Sequence, residues 1–128
     1  MTILLVERDP HLSKLAAHFL SGAGHVVETA ADGQQALAML HRNRPDLVIT
    51  EILVPKLDGL ALCRHLKANP ETRPIPVLVL SILAAGARSK EAGADGFMLK
   101  PIAQHRLIAL VHDLAANRSD RQYVQEYA

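Results

Sequence analysis

The chain has 128 residues, enough for one domain and too few for two of ordinary size. Hydrophobic residues make up 49% and charged residues 21%, which excludes disorder, and with two Tyr, two Phe and no Trp the core must be aliphatic. Fourteen basic against 13 acidic side chains leave a formal charge of +1, so no general field draws the protein to nucleic acid or an anionic membrane.

A single cysteine, Cys63, forbids an intrachain disulfide and fits a reducing compartment. The opening Met1–Glu7 has no basic leader, and nothing approaches the ~20 apolar residues that cross a bilayer. A small soluble, cytoplasmic protein is expected.

In chain order, Ile3–Val6 is an apolar run too short for a core helix and suited to a strand covered on both faces. Asp9 before Pro10 is an N-cap with proline at the first helical position. Leu12, Leu15, Ala16, Phe19 and Leu20 trace one buried helical stripe, closed by Gly22 and Gly24. Val26–Val27 is a second strand, and Asp32-Gly33 opens a second helix that Pro45 stops before the third strand, Leu47–Ile49. A third helix starts near Asp58-Gly59 and turns Leu62, Cys63 and Leu66 inward, with Cys63 as inert packing. Pro70, Pro74 and Pro76 shape the loop to a fourth strand, Val77–Leu80, and Phe97–Leu99 is a fifth. Leu107, Leu110, Val111 and Leu114 repeat the helical stripe. Residues 1–117 are expected to form one α/β domain with helices on both faces of a parallel sheet, and residues 118–128 a polar, frayed tail.

Open parallel sheets gather their chemistry at the carboxyl ends of the strands. That edge collects Glu7, Arg8 and Asp9 after the first strand, Glu51 after the third, Ser81 after the fourth, and Lys100-Pro101 after the fifth. Taken singly, Glu7 and Asp9 read as a polar strand end and a helix cap; taken together, the set reads as a site. Seven histidines are scattered along the chain, and His11 and His18, on one helix face, lie two turns or roughly 10 Å apart, too far to share a metal. Gly22-Ala23-Gly24 precedes a strand and lacks a third glycine, so it is no dinucleotide fingerprint. No Walker loop is present, and Arg8-Asp9-Pro10-His11 is not the phosphate loop a flavin binder needs.

The segments Ile3–Pro10 (ILLVERDP), Pro45–Glu51 (PDLVITE), Val54–Gly59 (VPKLDG), Pro76–Ser81 (PVLVLS) and Ala92–Pro101 (AGADGFMLKP) carry a resemblance over nearly all of Met1–Ala116. In these blocks the chain resembles a receiver domain of the two-component response-regulator family. The resemblance implies a flavodoxin-like, doubly wound sheet of five parallel strands in the order 2-1-3-4-5. It also implies a phosphoryl group accepted from a histidine kinase on an aspartate ending the third strand, with Mg²⁺ held by that residue and an acidic pair after the first strand. Here the acceptor position is Glu51 and the pair is Glu7 followed by Arg8.

Arg8 offers only N–H donors and a fixed positive charge, so it removes a metal ligand and repels a dication. A forked pair from Arg8 to Glu51 is expected instead, within an Arg8–Glu51–Lys100 cluster standing in for metal and phosphate. The extra methylene of Glu51 extends its charge outward, and a misplacement of about 1 Å costs on the order of a hundredfold in an in-line attack. Ser81 matches the family's phosphoryl-binding hydroxyl, Lys100 its lysine, with Pro101 following, and Phe97 its switching aromatic. Plain core packing explains Phe97 equally well. The stretch from Ser81 to Lys100 is about one helical turn shorter than the family's, and Gly86 weakens its helix.

The expectation is a stand-alone receiver-like adaptor, not an enzyme, that binds signalling proteins: a histidine kinase, another regulator or a target. No cofactor, metal, nucleic acid or membrane is expected to take part. The alternatives are a working phosphoacceptor modified on Glu51 or a neighbouring acid such as Asp9, and a small-ligand binder using the same cleft.

Overall fold

The computed structural model describes residues 1–116 and 122–126. Strands β1 (Thr2–Val6), β2 (Val26–Ala30), β3 (Leu47–Thr50), β4 (Val77–Ser81) and β5 (Gly96–Leu99) alternate with helices α1 (Pro10–Gly22), α2 (Gly33–Arg42), α3 (Gly59–Ala68), α4 (Gly86–Glu91) and α5 (Gln104–Ala116). A further strand, β6 (Val124–Glu126), follows α5. All pairings are parallel, and the sheet order is β2-β1-β3-β4-β5-β6.

The sheet therefore has six strands rather than the expected five. The expected frayed tail fails at Val124–Glu126, while positions 117–121 and 127–128 lie outside the described residues. β6 pairs Gly96 with Val124, Phe97 with Gln125 and Met98 with Glu126, giving partners to the outer backbone groups of β5. Strand alternation sends Tyr123 to one face of the sheet and Val124 to the other. The Tyr123 hydroxyl donates to the Gly86 carbonyl at 2.5 Å, and Lys90 Nζ lies 5.9 Å from the centre of its ring. α4 is a helix of 6 residues with no side-chain cap at Ala85, and Tyr123 closes over its first turn.

Aliphatic residues cover both faces of the sheet. One layer holds Val6, Val48, Val77 and Val79 against Ala36, Leu40, Leu62, Cys63 and Leu66 of α2 and α3. The other packs Ile3, Leu5, Ile49, Leu78 and Met98 on Ala16 and Leu20 of α1 and Leu107, Leu110, Val111 and Leu114 of α5. The stripe on α5 is as the spacing predicts. That on α1 is narrower, because Leu15 sits at its rim, 40% exposed.

The aspartate caps form as expected. Asp9 accepts from the His11 and Leu12 amides, Asp32 from Gln35 and Asp58 from Ala61. Asp58 also places α3, whose first residue, Gly59, lies flat against the backbone after β3. A Cβ at Gly59 would stand 2.1 Å from the Glu51 carbonyl oxygen, so only glycine permits the approach. The cap, the glycine and the Gly59 N–H donating to the Ile52 carbonyl at 2.9 Å fix the turn that carries Glu51.

Candidate functional site

Continuation of the parallel ladder past the strand ends places four side chains in one pocket. The Glu7 amide donates to the Ala30 carbonyl, Glu51 to Val6, and Lys100 to Ser81, at 3.0, 3.0 and 2.8 Å. Glu7, Glu51, Ser81 and Lys100 thereby stand on neighbouring strand ends. Glu7, Glu51 and Ser81 are buried, 8%, 4% and 0% exposed, and the side chain of the half-buried Lys100 is 7% exposed.

Glu51 is at the centre. Its Oε1 accepts from the Ser81 hydroxyl, from the Ile52 amide at 2.6 Å and from the Leu53 amide at 3.3 Å. Its Oε2 accepts from the Ile82 amide at 3.2 Å and pairs with Lys100 Nζ at 2.9 Å. Lys100 Nζ also donates to Glu7 Oε1 at 2.5 Å, and Glu7 Oε2 accepts from the Asp9 amide at 3.1 Å. One ammonium thus bridges two buried carboxylates whose other oxygens are held by N–H and O–H donors.

The electrostatics follow from these contacts. Burial pushes the Glu51 carboxyl up, but the Ser81 hydroxyl, Lys100 and the Ile52 amide outweigh it and hold the group below its ordinary value. Burial pushes the Lys100 ammonium down, and hydrogen bonds to Glu7 and Glu51 more than reverse this, leaving it above its ordinary value. Both residues are charged at neutral pH.

The structure brings together Glu7, Glu51, Ser81 and Lys100 from the set marked by the sequence. Arg8 is not among them. It is exposed, and among the described residues the cation on Glu51 is Lys100, so the anticipated Arg8–Glu51 pair does not form. Arg8 lies beyond β1, in the turn that leads to α1, and its side chain faces solvent. Arg8 lines a shallow groove of about 270 Å³ with Ser13, Lys14 and Thr29. Asp9 spends its carboxylate on the α1 cap. Phe97 is fully buried in the layer against α3 and α4, and Pro101, joined to Lys100 by a cis peptide bond, is exposed.

Sequence reasoning passed over the amides of Ile52 and Ile82, which hold the two oxygens of Glu51. Their only signal was position, each being one residue beyond a residue already marked. It also passed over Leu53 and Ile82 as exposed apolar side chains, 43% and 62% exposed, at the pocket rim.

Mg²⁺ needs several oxygen ligands at about 2.1 Å in near-octahedral array. Here Lys100 Nζ already lies between the carboxylates of Glu7 and Glu51, and the neighbouring position is Arg8, which has no oxygen to offer. Among the described residues, no group of three His, Cys, Asp or Glu could hold a metal ion. The donor set does not fit Mg²⁺.

A doubly wound parallel sheet with an acidic pocket at its carboxyl edge, closed by a hydroxyl and a lysine from the next two strands, defines a class of α/β signalling domains. Residues 3–112 match the response regulator receiver domain, and the chain belongs to that family. It is 36% identical over 115 residues to the response regulator MprA of Mycobacterium leprae, covering 89% of this chain and 50% of that protein. The chain spans about half or less of the length of the curated relatives it matches. The signal receiver domain of a histidine kinase from Syntrophus aciditrophicus superposes with a TM-score of 0.87 at 38% identity, covering 94% of each chain. The receiver domain of sensor histidine kinase PA1611 from Pseudomonas aeruginosa has a TM-score of 0.82 at 26% identity, covering 90% of this chain and 97% of that one; its structure has magnesium coordinated in the active-site cleft.

Proposed function

We propose that this receiver domain is a switch set by its own side chains, acting in two-component signalling without Mg²⁺ and without phosphoryl transfer. The observation that carries the reading is the capture of one buried carboxylate, on Glu51, by both the Ser81 hydroxyl and the Lys100 ammonium. In the family that this chain resembles, those two groups bind the transferred phosphoryl oxygens; here the carboxylate at the end of the longer Glu51 side chain takes their place.

Phosphoryl transfer demands an acceptor oxygen placed in line and a cation that neutralises the incoming charge. Both Glu51 oxygens are engaged by donors, which lowers their nucleophilicity, and the cation present is tethered through Lys100. The inward, fully buried Phe97 is consistent with a domain already held in one setting. Transmission is then by surface contact with a histidine kinase, another regulator or a target protein, and the domain catalyses no reaction of its own. Ile82 links pocket and surface, because its amide holds Glu51 while its side chain is 62% exposed.

Incubation with acetyl phosphate and Mg²⁺, read by intact mass, tests the reading. No phosphate is expected on the wild type, and the Arg8→Asp/Glu51→Asp double variant is expected to gain Mg²⁺ binding. A phosphate on the wild type that disappears in Glu51→Gln would overturn the proposal and make Glu51 a working acceptor.

A further inference from the structure

The seven histidines look unrelated along the chain, yet the fold brings two of them together across 87 positions. His25 lies in the turn before β2, and His112 lies on the last turns of α5, at the amino-terminal edge of the sheet and opposite the Glu51 pocket. Their Nε2 atoms are 3.2 Å apart. The ring centroids are 5.3 Å apart with the planes inclined at 72°. His112 is exposed and His25 half-buried, so water reaches the pair.

Two Zn–N bonds of about 2.0–2.1 Å meeting near the tetrahedral angle hold their nitrogens about 3.3 Å apart. The two Nε2 atoms already stand at that separation without any movement of either backbone. We propose that His25 and His112 form a two-histidine chelating site for a divalent first-row transition metal of the zinc class. Imidazole suits Zn²⁺, Cu²⁺ and Ni²⁺, whereas the hard Mg²⁺ prefers oxygen. Water completes the coordination.

In the metal-free protein Nδ1 of His25 accepts from the Met1 ammonium and its Nε2–H donates to His112 Nε2. Chelation needs both Nε2 atoms without hydrogen, so the His25 Nε2 proton is released to solvent and its Nδ1 takes the proton of the Met1 ammonium. The Met1 amino group, 3.4 Å from His25 Nδ1, faces the far side of that ring and is not a ligand. His105 shares α5 with His112 but lies two turns away, about 10 Å, and does not contribute. A metal held in this way ties α5 to the start of β2, two elements that unfolding separates, so it binds the folded chain more tightly than the unfolded one and raises the melting temperature.

The test uses the full chain, stripped of metal with a chelator and dialysed, at about pH 7.5, where ordinary histidines are neutral. Calorimetric titration with ZnCl₂ is expected to show one equivalent bound, with a rise in melting temperature that MgCl₂ does not produce. His25→Gln and His112→Gln, checked for native circular dichroism, are each expected to weaken Zn²⁺ binding about tenfold or more, while His105→Gln leaves it unchanged. With Cu²⁺, electron paramagnetic resonance is expected to show two coupled imidazole nitrogens in the wild type and at most one in either variant. Zn²⁺ binding that ignores both substitutions, or no saturable binding at one equivalent, would overturn the proposal.

Discussion

Lys100→Met removes the single ammonium between Glu7 and Glu51 and keeps the length of an apolar side chain. Lys100 Nζ sits 2.5 Å from Glu7 Oε1 and 2.9 Å from Glu51 Oε2, in a site where all three side chains are less than a tenth exposed. Without it, two buried carboxylates face each other uncompensated. Breaking a buried pair by deleting one partner costs roughly 3–5 kcal/mol. The Ile52, Ile82 and Asp9 amides and the Ser81 hydroxyl remain, so the lower end, about 3 kcal/mol, is expected. With a urea slope between about 1 and 3 kcal/mol per molar, the midpoint falls by one to three molar units.

The pH dependence separates electrostatics from packing. Lys100 is raised above its ordinary value, so its contribution is complete below about pH 10 and is lost as pH climbs through the folded-state value. Glu51 is lowered, so its contribution is present above its unfolded value of about 4.3 and is lost as pH falls through the folded-state value. Between those limits the Lys100 and Glu51 contributions are therefore expected to stay constant in the wild type. The variant is read as its difference from the wild type at each pH, which cancels the fall that the lowered His25 brings to both proteins on acidification. In Lys100→Met the like-charged carboxylates raise each other, one takes up a proton on mild acidification, and the variant recovers stability as pH falls from 7 toward 5. Equilibrium urea unfolding of both proteins across that range is the assay. A deficit independent of pH would mean that Lys100 acts by packing, and no deficit at all would refute the bridged-carboxylate account.

Other consequences are simpler. Cys63 is fully buried and its thiol is pushed up to about 12, chiefly by burial, so alkylation by iodoacetamide in native buffer is expected to proceed only at the rate of unfolding and to become fast in denaturant. Ser89 of α4 is fully buried and, among the described residues, its hydroxyl has no hydrogen-bond partner; Ser89→Ala should raise stability by about 1 kcal/mol, seen as a higher melting temperature. Tyr123→Phe removes the bond to the Gly86 carbonyl and should cost about 1 kcal/mol, with faster amide hydrogen exchange concentrated in α4. Lys67→Met strips an ammonium that donates to the Arg73 and Ile75 carbonyls and pairs with Asp95 at 3.0 Å, and is expected to lower the urea midpoint by an amount worth about 2–3 kcal/mol.

The sequence by itself determined the alternation of elements, because runs such as Ile3–Val6 and Val77–Leu80 have no polar side to turn toward water and can be buried only with helices on both faces. It also determined the helix starts, since Asp9, Asp32 and Asp58 act on amides two or three residues away and need nothing distant. The membership of the pocket was legible for the same reason: Glu7, Glu51, Ser81 and Lys100 each follow a strand, and parallel strands end on one edge. Only the tertiary structure decided which cation meets Glu51. The sequence sets both Arg8 and Lys100 against Glu51, but Arg8, in the turn after β1, faces solvent, while Lys100, following β5, enters between both acids. Three residues of β6, with one exposed between two half-buried, carry too little pattern to be read locally; their strand exists because β5 offers an unpaired edge and Tyr123 finds α4. The same holds for His25 and His112. Contacts between residues 87 apart in sequence belong to the packing of whole elements, and no local rule of periodicity or capping encodes them.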